Sequence, residues 1–335
     1  MDMSRKLRWG ILGCAGIAKR AFIPGVADSQ SGTLAAIASR DLDKAKETAA
    51  EFGIARAYGS YEELLADPEI DAVYIPLPNH LHKEWTIRAA QAGKHVLCEK
   101  PAALNAHEAA EMAEACRAAG VHFAEAFMYR HHPRYRMIKE VIDSGEIGAL
   151  RGVHGAFTFN GAANKQNVRY RQDWGGGSLY DVGCYPISAA RLLIGAEPIA
   201  ATVHAYFSPE HDNVDMMASG LLEFPGSIAL TFDCGMWAAF RNTLEVLGTD
   251  GFIEVPSAYI YPKEPGGANF FVTTKAGRRE VEVSTVNQYA LQADDFARAA
   301  LAGAAPVASP ADAIAGMRAL DACLESARTR RRIIL

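Results

Sequence analysis

Leu7-Arg8-Trp9-Gly10-Ile11-Leu12-Gly13-Cys14-Ala15-Gly16-Ile17-Ala18 is the stretch on which the reading of this chain turns. Residues 7–12 are mostly apolar, with Arg8 the one charged residue among them, too few for a helix, and they run directly into small residues. That pattern predicts a buried strand turning sharply into a helix that starts near Ile17. Read as G-x-G-x-x-G/A, Gly13 is the tight-turn glycine, and Ala15 stands where a second glycine lets the backbone approach a pyrophosphate. Ala18 then allows the helix to close on the strand. Unpaired N–H groups at the helix start suit phosphate oxygens, which makes Gly13, Cys14, Ala15, Gly16 and Ile17 candidate dinucleotide contacts. The methyl group of Ala15 sets the pyrophosphate slightly farther out than glycine would.

Outward from this element the same alternation repeats. Strands are predicted at 34–38, 72–75, 95–98 and 121–124, and helices at 44–52, 61–66, 83–92 and 106–119. Ser60 and Asn105 are the N-caps, and Gly53, Gly93 and Gly120 the stops. Beyond Pro133 comes one helix at 135–142. Longer alternating segments follow at 150–159, 200–207, 220–224, 228–234 and 243–247, and read as an antiparallel sheet. Helices at 288–301 and 311–329 close the chain. The predicted fold class is α/β. An N-terminal Rossmann domain, a doubly wound parallel sheet, covers 1–126; an α+β domain with a mostly antiparallel sheet covers 127–335, and its C-terminal helices can pack back on the first domain.

Composition narrows the function. A chain of 335 residues suggests about two domains at roughly 150 residues each. Lys+Arg 34 against Asp+Glu 39, a net charge of −5, argues against a dedicated nucleic-acid or anionic-membrane surface and points to a small partner. The four arginines Arg328, Arg330, Arg331 and Arg332 read as a solvated helix end. Cys14, Cys98, Cys116, Cys184, Cys234 and Cys323 form no C-x-x-C, so neither a disulfide framework nor a zinc ribbon is expected. His80 with His82, and His131 with His132, lack ligand spacing, and no metal is expected. No apolar run approaches the ~20 residues of a membrane span. Only six residues precede the first strand, too few for a secretory signal, and the expected location is cytoplasmic.

The chemistry collects where strands end, since ligands of open α/β sheets bind at the strands' carboxyl ends. Ser39 lies 21 positions beyond Ala18, where NAD-type folds tend to place the acidic residue for the ribose 2′-hydroxyl. Ser39 and Arg40 instead offer a hydroxyl and a guanidinium, which suit a 2′-phosphate and favour NADP over NAD. Asp41, turned toward the ribose, would keep NAD open. The strand at 95–98 ends in Glu99-Lys100-Pro101, and the Pro101 ring restricts the backbone of Lys100. In the second half, Asp181 and Tyr185 are four apart at the start of an apparent helix, so an acid and a phenol can share one face. Tyr185 can serve as acid or base where a cation such as Lys100 or the nicotinamide favours its phenolate. The polar loop at 160–170, with Lys165, Arg169 and Tyr170, can cover a sugar. No G-x-S-x-G element suggests hydrolysis.

Taken together these residues resemble the Gfo/Idh/MocA family of oxidoreductases. The resemblance rests on Gly10-Ile-Leu-Gly13-Cys-Ala15, Pro78-Asn79 followed by His82, Glu99-Lys100-Pro101, Glu125-Ala-Phe-Met-Tyr129-Arg130, and Gly175-Gly-Gly177 through Tyr185. It implies a Rossmann domain, a second domain with a large open sheet through which copies form a homodimer or homotetramer, and hydride transfer at a carbinol carbon. The implied cofactor contacts are Pro78, Asn79, His82, Glu99 and Lys100, beside the glycine loop, Ser39 and Arg40. The implied substrate contacts are Tyr129, Arg130, Arg169, Asp181 and Tyr185, with Lys100, Tyr185 and Asp181 catalytic. Many members carry histidine where Tyr185 stands, and tyrosine there resembles a branch acting on aldoses and dihydrodiols. The expected activity is an NADP-dependent aldose 1-dehydrogenase giving a lactone. The alternatives are an NADPH-dependent reductase of a keto-sugar or dicarbonyl, a trans-dihydrodiol dehydrogenase, or a non-catalytic dinucleotide-binding regulator.

Overall fold

The computed structural model describes residues 5–304 and 306–335. They fall into two compact units, one holding the chain up to His131 with Asn287–Ile314, the other His132–Val286 with Ala315–Leu335.

In the first unit β1 (Leu7–Leu12), β2 (Gly32–Ala38), β3 (Arg56–Tyr58), β4 (Ala72–Ile75), β5 (His95–Cys98) and β6 (Phe123–Glu125) form one parallel sheet. Their order is β3-β2-β1-β4-β5-β6, so the winding reverses between β1 and β4 and opens a crevice at the strands' carboxyl ends. β3 has only three residues at the sheet edge, too short to show a period, and sequence patterning missed it. Ser60 and Asn105 cap their helices, accepting from the N–H groups of Glu63 and Glu108.

The core explains why the helix Gln288–Ala302 belongs here. Trp9 meets the ring of Phe22 at 5.2 Å and that of Phe296 at 5.2 Å, and Phe22 stacks on Tyr74 at 3.7 Å. Ala293, Phe296 and Ala297 are buried in this cluster, and a fully buried phenylalanine contributes about 2–3 kcal/mol. That apolar stripe returns the segment to the first unit, and only Ala315–Leu335 stays with the second.

The second unit is built on nine strands: β7 (Leu150–Asn160), β8 (Ala200–Ser208), β9 (Val214–Phe224), β10 (Ile228–Gly235), β11 (Trp237–Gly248), β12 (Gly251–Val255), β13 (Phe270–Thr274), β14 (Gly277–Val281) and β15 (Ile333–Ile334). Their order is β14-β13-β12-β11-β7-β10-β9-β8-β15. All pairs are antiparallel except β10 with β7. The helix Cys184–Ile194 packs on β7 and β10, which fixes its position over the sheet. Leu221, Leu247 and Phe252 are exposed, and Tyr206 stacks on Trp237 at 4.7 Å.

The C-terminal arginines are not simply a solvated helix end. Arg332 forks onto Glu223 at 2.6 and 2.7 Å, and the two residues after it pair with β8. All six cysteines are free. Among the described residues no helix is long and apolar enough to cross a membrane, and no group of three His, Cys, Asp or Glu side chains is placed to hold a metal.

Candidate active site

In the first unit the residues singled out by sequence follow the ends of β1, β2, β4 and β5. Gly13 turns the chain out of β1 with φ +107°, a left-handed conformation that costs a side-chain-bearing residue strain. Its N–H donates to the Ala38 carbonyl at 2.8 Å, fastening the turn to the end of β2. The helix begins as a π turn over Ala18–Phe22 and continues as α over Ile23–Asp28. The Lys19 N–H donates to the Ala15 carbonyl at 3.2 Å, which puts the N–H groups of Gly16 and Ile17 in the first helical turn, where a helix offers them no acceptor of its own.

At the end of β2, Ser39 is buried and its Oγ accepts from the Asp41 N–H at 3.2 Å, while Arg40 is exposed. Asp41 caps the helix Leu42–Phe52, its carboxylate accepting from the N–H groups of Asp43 at 3.1 Å and Lys44 at 3.2 Å. One oxygen of the carboxylate that could have taken a ribose hydroxyl is therefore engaged by its own helix. What the strand end presents is a hydroxyl and a guanidinium, a donor set that fits a 2′-phosphate.

Tyr61 belongs to the same corner, and sequence reasoning missed it. Its phenol accepts a hydrogen bond from Arg40, and burial raises its pKa while Arg40 pulls it back. The same oxygen lies 3.6 Å from where a Cβ on Gly13 would stand. The sequence showed Tyr61 only as the first residue after an N-cap; nothing in the spacing joins it to Arg40.

Glu99, Lys100 and Pro101 follow β5, Lys100 is half-buried, and the Lys100–Pro101 bond is cis. Three side chains brace this loop. Glu99 accepts from the Tyr74 hydroxyl at 2.6 Å, Glu125 accepts from the Ala102 N–H at 2.8 Å, and the fully buried His82 lies between two carbonyls. Its ring nitrogens stand 2.8 Å from the Leu77 oxygen and 3.0 Å from the Pro101 oxygen. Burial pulls the His82 imidazole down to about 4, so it is neutral at pH 7. The structure thus places His82 beneath the loops that carry Pro78, Asn79 and Lys100, where it positions them. Arg130 is buried in a forked ion pair with Asp312, and Tyr129 is fully buried with its edge on Phe127 at 5.8 Å. Asp312 lies 182 residues from Arg130, and no sequence signal linked them.

In the second unit Asp181 lies on a π turn, Leu179–Gly183, and Tyr185 is the second residue of the helix Cys184–Ile194 that follows it. A buried carboxylate from β9 holds the start of that turn. Asp215 accepts from the Ser178 hydroxyl at 2.7 Å and from the Leu179 N–H at 2.7 Å. Burial pushes its carboxyl up to about 6, against those hydrogen bonds, which favour the charged form. Asp215 too was invisible in sequence, being one acid within an alternating strand. Asp181 takes the Arg169 Nε–H at 2.6 Å. Tyr185 is 6% exposed, its ring 5.1 Å from Phe157 and 5.3 Å from Tyr259. The first unit therefore offers a dinucleotide cradle and an ammonium, the second a phenol, a carboxylate and a guanidinium.

Comparison with known proteins agrees with this division. Residues 7–127 match the model of an oxidoreductase family with an NAD-binding Rossmann fold, and residues 135–254 match that of the GFO/IDH/MocA C-terminal domain. The chain belongs to the Gfo/Idh/MocA family of oxidoreductases. Within the family, the D-xylose 1-dehydrogenase (NADP(+)) 2 of Haloferax volcanii is 40% identical over 325 residues, 96% of this chain and 98% of that one. An aldose-aldose oxidoreductase from Caulobacter crescentus, solved with glycerol, superposes with TM-score 0.91 at 29% identity, covering 99% of this chain and 100% of its own. A 3-ketoreductase from Actinomadura kijaniata, solved with NADP and TDP-benzene, gives TM-score 0.90 at 31% identity over 96% and 98%.

Proposed function

We propose that this family member is an NADP-dependent aldose 1-dehydrogenase acting on a sugar of the D-xylose or D-glucose type. The observation that carries the reading is the end of β2, where Asp41 is turned into its helix cap and Ser39 and Arg40 are left for the adenosine ribose. Likeness over nearly the whole chain to the D-xylose 1-dehydrogenase supports the choice of substrate. Gly13, Cys14, Ala15, Gly16 and Ile17 would hold the pyrophosphate, and Pro78, Asn79, Glu99 and Lys100 the nicotinamide half.

When bound, the nicotinamide supplies the hydride acceptor. Tyr185, as phenolate, takes the proton of the C1 hydroxyl while the C1–H bond breaks, the carbonyl of the lactone forms, and the phenol later releases that proton to solvent. Lys100 stabilises the negative charge that builds on the reacting oxygen. Asp181 accepts from a neighbouring sugar hydroxyl and orients the ring. Run in reverse, the same groups reduce a keto-sugar with Tyr185 as acid, a second reading favoured by the likeness to the 3-ketoreductase.

The test is growth of the reduced-nicotinamide absorbance with NADP⁺ and a panel of aldoses, polyols and dihydrodiols. Aldoses are expected to react fastest, and silence with every aldose would overturn the reading. The cofactor assignment has its own check. Arg40→Asp is expected to lower the ratio of kcat/KM with NADP to that with NAD by about 100-fold, through a lost charge-assisted fork and a new repulsion. An unaltered ratio would remove Arg40 from the 2′-phosphate.

A further inference from the structure

The loop between β7 and the Asp181 turn is pinned to the rest of its unit at almost every step. Tyr170 is buried with Val214, Met216 and Met236. His211, its edge against Tyr170 at 5.0 Å, meets the Ala162 carbonyl at 3.0 Å, and Asp212 accepts from the Gln172 N–H at 2.9 Å. Arg169 itself is held at both ends. Its N–H donates to Asn167 Oδ1 at 3.1 Å, and its carbonyl accepts from the Gly177 N–H at 3.0 Å. A Cβ on Gly176 would stand 2.5 Å from that carbonyl and 2.8 Å from the Arg171 carbonyl, so only glycine lets the loop lie this close to the turn.

The loop carries three cations with different assignments. Lys165 pairs with Glu210 at 2.8 Å, and the Arg171 guanidinium lies over the Trp174 ring at 5.4 Å. Arg169 alone of the three reaches the helix, donating to Asp181 at 2.6 Å. We propose that Arg169 is a positioning residue, held by its loop so that its guanidinium fixes the Asp181 carboxylate and sets a positive charge beside the Tyr185 phenol. An isolated exposed ion pair stabilises a fold by about 1 kcal/mol at most, which leaves so many anchors on one loop without a purpose. Orienting the acid and favouring the phenolate supplies one.

Asp181 stands one turn before Tyr185 and Tyr259 is ring to ring with it; Arg169, from the loop, also feels Tyr170. The Asp181 carboxylate raises the Arg169 pKa most, and the Tyr170 and Tyr185 phenols act in the same sense. The coupling is mutual, since a guanidinium stabilised by a phenolate stabilises that phenolate in return.

This inference rests on Tyr185 being the base, and the experiment separates the two. The rise of kcat/KM with pH for aldose oxidation is followed in the parent, in Arg169→Gln, Arg169→Lys and Lys165→Gln, and in Tyr185→Phe. The Tyr185 phenol is also titrated directly in the cofactor-free protein through ¹³Cζ-labelled tyrosine. Removing a positive neighbour destabilises the phenolate, so Arg169→Gln is expected to move both midpoints up by about one pH unit and lower kcat about tenfold. Arg169→Lys is expected to restore the midpoints, and Lys165→Gln to leave them in place. Unmoved midpoints in Arg169→Gln, or an equal shift in Lys165→Gln, would overturn the role of Arg169. Persistence of the limb in Tyr185→Phe would instead overturn the assignment of the base.

Discussion

Tyr185→Phe is expected to lower kcat for aldose oxidation by about 10² to 10⁴-fold while leaving the dissociation constant for NADP within about twofold. The substitution is clean because the ring stays. Tyr185 is packed against Phe157 and Tyr259 and is 6% exposed, so phenylalanine fills the same volume and opens no cavity. The cofactor residues proposed above follow β1, β2, β4 and β5. What disappears is the group that receives the hydroxyl proton. Without it hydride must leave C1 while the hydroxyl on that carbon is still protonated, with water as base. Stopped-flow measurement of a single turnover, with NADP affinity from fluorescence titration, checks both halves. A variant that turns over at the parent rate would remove the phenol from the mechanism. One that loses NADP binding would mean that Tyr185 acts on the cofactor.

How much of this could be read in the chain depends on the range of the interaction. The β1 turn was legible because strand, glycine and helix start are contiguous, and local sterics alone require small residues there. Ser39 and Arg40 were legible for the same reason, since a βα unit sets their distance from the loop. Ser60 and Asn105 declared themselves as caps because a cap acts only three residues away. The long-range partners were not legible. His82, Arg130 and Asp215 each act across a fold that brings distant segments together, and their neighbours in sequence say nothing about Pro101, Asp312 or Ser178. Arg130 shows the limit of motif reading: nothing beside it in the chain announces the buried ion pair its guanidinium makes. β4 and β5, though just as short, are continuous apolar runs between amphipathic helices, whereas β3 (Arg-Ala-Tyr) and β14 (Gly-Arg-Arg-Glu-Val) offer no apolar run, and β12 and β13 lie among turn residues.

Lys100→Met is expected to cut kcat by about 10³-fold, with the NADP dissociation constant changed less than about tenfold. Methionine matches the length of the lysine stem and removes its charge. The loop should keep its shape through the side chains that brace it. His82 lies against the Leu77 and Pro101 carbonyls, Glu125 takes the Ala102 N–H, and Glu99 takes the Tyr74 hydroxyl. The braces hold the loop that carries Lys100 before the reaction begins, and a preorganised charge beside a developing oxyanion lowers the barrier by several kcal/mol. The decisive measurement is rescue. Lys100→Ala assayed with methylammonium or ethylammonium is expected to regain activity in proportion to amine concentration, whereas a purely structural lysine would give no such dependence. Parent-level kcat in Lys100→Met would show that the ammonium carries none of the transition-state charge.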